Sequence, residues 1–190
     1  MMSEDHRGEA AESRPTLYLL IGYPGAGKTT AARILSEATG AVHLWSDVER
    51  HRMFGQPTHS LEESTKLYDE LNRRTEELLA ADKSVVFDTN FNFREDRRKL
   101  HDIAARHDAD TLVLWIQVPE EVARERALST GLKRNGYHVR MSPEQFDSIV
   151  TKLEPPAENE KTIKLDGLNL DKSTVLKLVG QYHDANIPLS

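Results

Sequence analysis

Gly22-Tyr23-Pro24-Gly25-Ala26-Gly27-Lys28-Thr29 follows directly on the apolar run Leu17-Tyr18-Leu19-Leu20-Ile21 and leads into Thr30-Ala31-Ala32-Arg33-Ile34-Leu35. The stretch matches G-x-x-x-x-G-K-[ST] in full. A buried strand, a glycine-rich turn and a helix start, in that order, are the setting in which this pattern cradles phosphates. The glycines let backbone N–H groups converge on an anion, and the helix N-terminus adds the positive end of its dipole. In such a cradle residues Gly22 to Thr30 surround the polyphosphate, Lys28 reaches the β- and γ-phosphates, and the Thr29 hydroxyl binds Mg²⁺. The expectation is a chain that binds ATP or a related nucleoside triphosphate.

Outward from this point, strands alternate with helices. Ala41–Trp45 reads as a second strand ending at Ser46-Asp47, and a long amphipathic helix follows with Leu61, Tyr68, Leu71, Thr75 and Leu78 at spacings of three and four. Ser84–Asp88 is a third strand, and Leu100, Ile103, Ala104 and His107 mark the inner stripe of the next helix. Thr111–Val118 is a fourth strand, and Pro119 opens the helix after it. Residues 129–141 are basic and glycine-containing with almost no apolar periodicity. Ser142-Pro143-Glu144-Gln145 predicts a capping box with proline at the first helical position, followed by Phe146, Ile149, Val150 and Leu153 on the inner face. Lys161–Asp166 is a fifth strand, and 171–183 a closing helix built around Val175, Leu176, Val179 and Tyr182. This alternation predicts an α/β, three-layer fold: a mostly parallel five-stranded sheet, helices on both faces, and ligands beyond the carboxyl ends of the strands.

The 190 residues suit one α/β domain, taken as 15–190 behind a disordered polar tail at 1–14. An apolar share of 38% and a charged share of 29% belong to a water-exposed globular chain. The longest apolar runs are too short to cross a bilayer, so no membrane partner is expected. No apolar leader begins the sequence and no cysteine occurs in it, which excludes disulfides and thiol chemistry and makes the cytoplasm the simplest location. A formal charge of −6 argues against wide nucleic-acid contact, although a local basic groove would survive it.

Phosphoryl transfer needs a metal, charge neutralisation at the γ-phosphate and a group that orients the incoming oxygen. Asp47, just past the second strand, is the candidate for that last task, with Arg50 one helical turn on to hold an anionic group of the acceptor. Ser46-x-x-Glu49 also reads as a capping box, and both readings stand. Asp88 can hold a Mg²⁺-bound water and Asn90 can contact the acceptor; as the alternative, both cap the helix beginning near Arg94. Arg126, Arg134 and Arg140 are the candidates for a lid that covers ATP with an arginine. Arg124 is set aside because Glu120 at i−4 would pair with it, whereas Arg126 has no such partner in sequence. Arg94, Arg97, Arg98 and Lys99 read as a solvated helix face, and Trp45 and Trp115 as core aromatics at strand ends. His51 and His59 border the acceptor side, and the histidines make no set with metal-ligand spacing.

Three segments carry a family resemblance: Gly22–Thr30, the Asp47-Val48-Glu49-Arg50 pair, and Val85-Val86-Phe87-Asp88-Thr89-Asn90-Phe91-Asn92. They resemble the small AAA-type P-loop kinases grouped with the phage polynucleotide 5′-hydroxyl kinase domain, a set that includes zeta-toxin-like and chloramphenicol phosphotransferase-like proteins. The likeness covers most of 16–155. It implies ATP-dependent phosphorylation of a hydroxyl, with Asp47 as general base, Arg50 as acceptor-phosphate ligand, and Lys28 and Thr29 as phosphate and metal contacts. The lid is longer than the family's, and Leu153-Glu154-Pro155-Pro156 with Glu158 is similar to a tail of related kinases. The leading expectation is therefore a kinase whose acceptor is a small molecule or a nucleic-acid 5′-hydroxyl. The alternative is a nucleotide-dependent ATPase or switch acting on a protein partner.

Overall fold

The computed structural model describes residues 14–129, 133–134, 137–138 and 141–185, the pairs 133–134, 137–138 and 184–185 by their backbone alone. The sheet is organised around β1 (Thr16–Ile21), every residue of which is buried. β1 pairs in parallel with β3 (Val85–Asp88) on one side and β4 (Asp110–Gln117) on the other. β2 (Val42–Trp45) and β7 (Thr162–Asp166) form the edges, giving the order β2-β3-β1-β4-β7 with all pairs parallel. A strand flanked on both sides and covered on both faces has to be apolar throughout, which is why Leu17–Ile21 reads as an unbroken run.

Alternate residues of β1 enter different layers. Leu17, Leu19 and Ile21 join Leu67 and Leu71 of α3 (Leu61–Ala80) and Leu100, Ile103 and Ala104 of α4 (Arg94–Arg106). Tyr18 and Leu20 meet Ala31, Ala32 and Leu35 of α1 (Lys28–Thr39) and Val175 and Val179 of α7 (Lys172–Ala185). Each fully buried aliphatic side chain here contributes about 1.5–3 kcal/mol relative to exposure. Burial pushes the Tyr18 hydroxyl up to about 12, and it pairs with His183 Nε2 at 3.0 Å.

The single long helix expected after β2 is two helices. α2 (Ser46–Phe54) ends at Gly55, in the left-handed region at φ 66°, and α3 restarts at Ser60, whose hydroxyl accepts from the Glu63 N–H. Leu61 is consequently not part of the inner stripe: as the first residue of α3 it is 85% exposed. The capping box at Ser142 and Gln145 is present, with Pro143 opening α6 (Pro143–Thr151). Between α5 (Glu120–Leu128) and α6 the basic segment holds a small antiparallel pair, β5 (Lys133–Arg134) and β6 (Tyr137–His138). Of the expected tail, residues 1–13 lie outside the described residues; Arg14 pairs with Asp108 at 3.3 Å.

The segment after α6 is tied to the chain that joins β3 to α4. Glu154 N–H donates to Asn92 O at 2.8 Å, the Glu154 carboxylate accepts from Arg94 N–H at 2.7 Å, and Arg94 Nε donates to Pro155 O at 3.0 Å. Arg97, placed by the sequence on a solvated face, is buried and forks onto Glu160 (Nε–Oε1 2.6 Å, Nη2–Oε2 2.9 Å) while Nη1 donates to Phe91 O at 2.8 Å. Arg98 and Lys99 do face solvent. Amphipathic counting sorts residues by polarity alone, and nothing local to α4 announces that Arg97 has a partner more than sixty positions away.

Candidate functional site

The loops at the carboxyl ends of β1, β2 and β3 open onto one cleft of about 1030 Å³. Ligand pockets run from ~300 to ~1,000 Å³, so this cleft stands at the large end of that range. Pro24, Gly25, Gly27, Lys28, Thr29 and Thr30 line it. Gly25 sits at φ 83°, and a Cβ there would collide with the carbonyl oxygen of Ala123 in α5. Gly27, at φ 109°, is the residue from which α1 begins. These left-handed positions are what the glycines are for. Lys28 Nζ donates to the carbonyls of Gly22 at 2.8 Å and Tyr23 at 2.9 Å, curling back over the turn. Gly22, Tyr23 and Ala26, also expected at the cofactor, do not line the cleft. Ala26 is fully buried, and Tyr23 borders a separate pocket of about 130 Å³ with Trp115 and Leu153.

Asp47 lies on the first turn of α2 and lines the cleft, exposed. Its placement does not come from a capping box, since α2 begins one residue earlier, at Ser46, with no side-chain cap. Glu49 instead binds Arg52 at 2.6 Å and also pairs with Arg74; those arginines outweigh burial and hold its carboxyl below the usual range. Arg50 also lines the cleft, with 7% of its surface exposed. Its Nη2 donates to Ser64 Oγ at 3.2 Å, but Nη1 is buried without a hydrogen-bond acceptor among the described residues. The carboxylate beside Nη1, Glu63 at 3.8 Å, is committed elsewhere: it accepts from the N–H groups of Thr58 (2.9 and 3.0 Å) and His59 (2.8 Å). The Thr58 N–H leads the interactions that hold the Glu63 carboxyl below its ordinary value. The site therefore contains a buried guanidinium that is ion-paired with Glu63 yet short of one hydrogen-bond acceptor, a deficit that an incoming anionic oxygen would fill.

Asp88 ends β3 buried, and Thr89 and Asn90 follow it into the cleft. Neither Asp88 nor Asn90 caps α4, whose N-cap is Phe93 with no side-chain cap and whose first N–H is taken by Glu154. Asp88 Oδ2 is 3.1 Å from His43 Nε2, and the His43 ring stacks on Trp45 with centroids 5.3 Å apart. Trp45, expected in the core, is half-buried at the cleft wall. Among the described residues no three His, Cys, Asp or Glu side chains gather as a metal cage. Mg²⁺ beside a polyphosphate needs none: one or two protein oxygens, the phosphates and water complete its octahedron. The Thr29 hydroxyl and the Asp88 carboxylate, both on the cleft, fit that donor set.

The cleft is also lined by Arg126 of α5, by Met141 ahead of α6, and by Glu144, Gln145, Ser148 and Ile149 of α6. Arg126 does have a partner: its Nη1 donates to Gly167 O at 3.1 Å. Arg124 pairs not with Glu120 but with Asp147 of α6, and lies over the Phe146 ring at 5.3 Å. The side chain of Arg134, and Arg140 altogether, lie outside the described residues. His59 lines the cleft in the left-handed region at φ 57°, whereas His51 turns its Nδ1 to Asp47 O at 2.8 Å and is not on the wall. Sequence reasoning missed Arg33, Tyr68, Thr89 and the polar face of α6 on the cleft wall. Arg33 was within reach of it, one turn after Thr29 on the same helix. Tyr68 falls at helical spacing among apolar residues, and its ring does pack against the core; its hydroxyl is 3.0 Å from Thr89 Oγ1, and both residues line the cleft.

Residues 17–156 match the AAA domain family AAA_33. The chain belongs to this family. A comparison with curated proteins finds no match. Solved structures do share the architecture. A Chloroflexus aurantiacus protein aligns with TM-score 0.70 at 18% identity, covering 93% of this chain and 100% of its own. Kti12 of Chaetomium thermophilum, in complex with ADP-AlF3, aligns with TM-score 0.68 at 17% identity (90% and 99% covered). A Janibacter sugar kinase aligns with TM-score 0.65 at 20% identity (90% and 96% covered). At these identities the likeness speaks for the fold alone: this family member has the P-loop NTPase fold. No helix among the described residues is long and apolar enough to cross a membrane.

Proposed function

We propose that this protein is a kinase that transfers the γ-phosphate of ATP to a hydroxyl group of an acceptor bearing an anionic group close to that hydroxyl. The observation that carries the reading is Arg50: a buried guanidinium with an unsatisfied Nη1, one turn from Asp47, on the wall that also holds Lys28 and Thr29. The Asp47 carboxylate accepts the acceptor's proton as its oxygen bonds to the γ-phosphorus and the bond to the bridging oxygen of ADP breaks. Lys28 leaves the Gly22 and Tyr23 carbonyls for the phosphates, and Arg126, with Arg134 or Arg140 from the basic segment, offsets the charge of the transferring group. Mg²⁺, when bound, neutralises phosphate charge; Thr29 and Asp88 hold it on the protein side, and Asn90 orients the acceptor.

The acceptor is a small molecule or, as the polynucleotide-kinase-like segments suggest, a nucleic-acid 5′-hydroxyl with its neighbouring phosphate. The test is an ATP-consumption screen with Mg²⁺ on neutral sugars and nucleosides, sugar acids, sugar phosphates, nucleoside 3′-phosphates and 5′-hydroxyl oligonucleotides. Stimulation by anionic acceptors and not by their neutral counterparts is the expected result. Turnover that no hydroxyl compound stimulates would overturn the reading and favour an ATPase that acts on a protein partner.

A further inference from the structure

We propose that His43 is a positioning residue for the metal side of this site: it fixes the rotamer of the Asp88 carboxylate so that one oxygen faces the cleft. The inference rests on the kinase reading above and goes beyond it, because His43 itself does not line the cleft.

The argument begins with strand register. β2 and β3 are parallel with His43 opposite Val86 and Trp45 opposite Asp88. Side chains alternate along a strand, so His43, Trp45, Val86 and Asp88 share one face of the sheet. Val86 packs with Ala31 and Ala32 of α1, so this is the α1 face, and α1 opens with Lys28 and Thr29. The Asp88 carboxylate therefore leaves the sheet on the side where the Thr29 hydroxyl stands.

There its side chain is only 4% exposed. A carboxylate so desolvated needs a donor, and His43 Nε2 supplies one at 3.1 Å. With Oδ2 held, Oδ1 is the oxygen left for the cleft. The imidazole is fixed in its turn by the stack on Trp45, interplanar angle 10°. A Val or Ile would suit a half-buried edge strand as well as His43 does, but neither could hold the carboxylate. Groups that orient a metal-binding carboxylate change metal affinity by about 10–100-fold when removed.

Two variants separate the hydrogen bond from the stack. His43→Phe keeps a ring on Trp45 and donates nothing to Asp88; His43→Gln keeps a donor near the Nε2 position and gives up the stack. Mn²⁺ binding to the full chain saturated with AMPPNP is read by electron paramagnetic resonance, and metal-free AMPPNP binding by calorimetry. The expected result is a Mn²⁺ dissociation constant about 10-fold or more higher in His43→Phe, near native in His43→Gln, with metal-free AMPPNP affinity the same in all three. His43→Ala takes the place of His43→Phe should the latter not fold. Native-like Mn²⁺ binding in the donor-less variant, or a His43→Gln as deficient as His43→Phe, would overturn the inference and leave the kinase reading intact. A native chain that binds no Mn²⁺·AMPPNP overturns both.

Discussion

Replacing Glu160 by Gln strands a cation. Arg97 has 1% of its side chain exposed and directs all three nitrogens of its guanidinium to protein acceptors, two of them on Glu160. In Glu160→Gln the shape and one acceptor remain but the counter-charge is gone, and water cannot reach the guanidinium. Breaking a buried pair from one side costs about 3–5 kcal/mol. In Arg97→Met the group left behind is Glu160, 19% exposed and still accepting from the Ala157 N–H at 2.7 Å, so it rehydrates and the loss is smaller.

Urea denaturation followed by circular dichroism measures both variants. Glu160→Gln should lose about 3 kcal/mol or more and melt about 6–20 °C lower, given ~2–4 °C per kcal/mol for a chain of this size. Arg97→Met should lose less. The pH dependence has a definite sign. Burial works to raise the Glu160 carboxyl, but Arg97 and the Ala157 N–H outweigh it and bring it below its ordinary 4.5. A depressed carboxyl stabilises the fold above that value and ceases to as pH falls through the lower, folded one. The gap between native and Glu160→Gln should therefore narrow below about pH 4.5. A Glu160→Gln protein as stable as native at neutral pH, or less harmed than Arg97→Met, would refute the account of this pair.

Three further outcomes are expected at the cleft. Asp47→Asn should lower phosphate transfer by about 10²-fold or more while ATP affinity by calorimetry is preserved, as for the loss of a general base; equal turnover would remove Asp47 from the chemistry. Lys28→Ala should lower turnover by at least ~10²-fold, the usual effect of removing one charge-stabilising donor, and undiminished activity would overturn the nucleotide assignment. Gly25→Ala combines a left-handed backbone with a Cβ driven into the Ala123 carbonyl, so it should melt lower and bind AMPPNP more weakly than native; native-like behaviour in both assays would show that the turn yields.

Much of this protein is decided by short-range sequence. The apolar run Leu17–Ile21 ahead of Gly22–Thr29 specifies a buried parallel strand feeding a phosphate-binding turn, because an apolar strand, left-handed glycines and a helix start are each local requirements. Asp47, Arg50, Asp88 and Asn90 were legible for the same reason: residues just past the carboxyl ends of parallel strands face a common crevice, and all four line it. The dipeptide Asn135-Gly136, between β5 and β6, carried a hairpin signal that the absence of periodicity obscured.

What the sequence left undecided is set by pairs distant along the chain. Whether a charge is solvated or buried depends on which partner the fold brings to it, as Arg97 finds Glu160, Arg124 finds Asp147, and Asp88 finds His43. Polarity and spacing record what a side chain is, and only the packed structure decides whether water, a counter-ion or nothing lies beside it. Arg50 shows the difference most plainly. Its charge and its place one turn from Asp47 are written in the sequence, but its burial beside Glu63 and Ser64 exists only once α2 and α3 have packed.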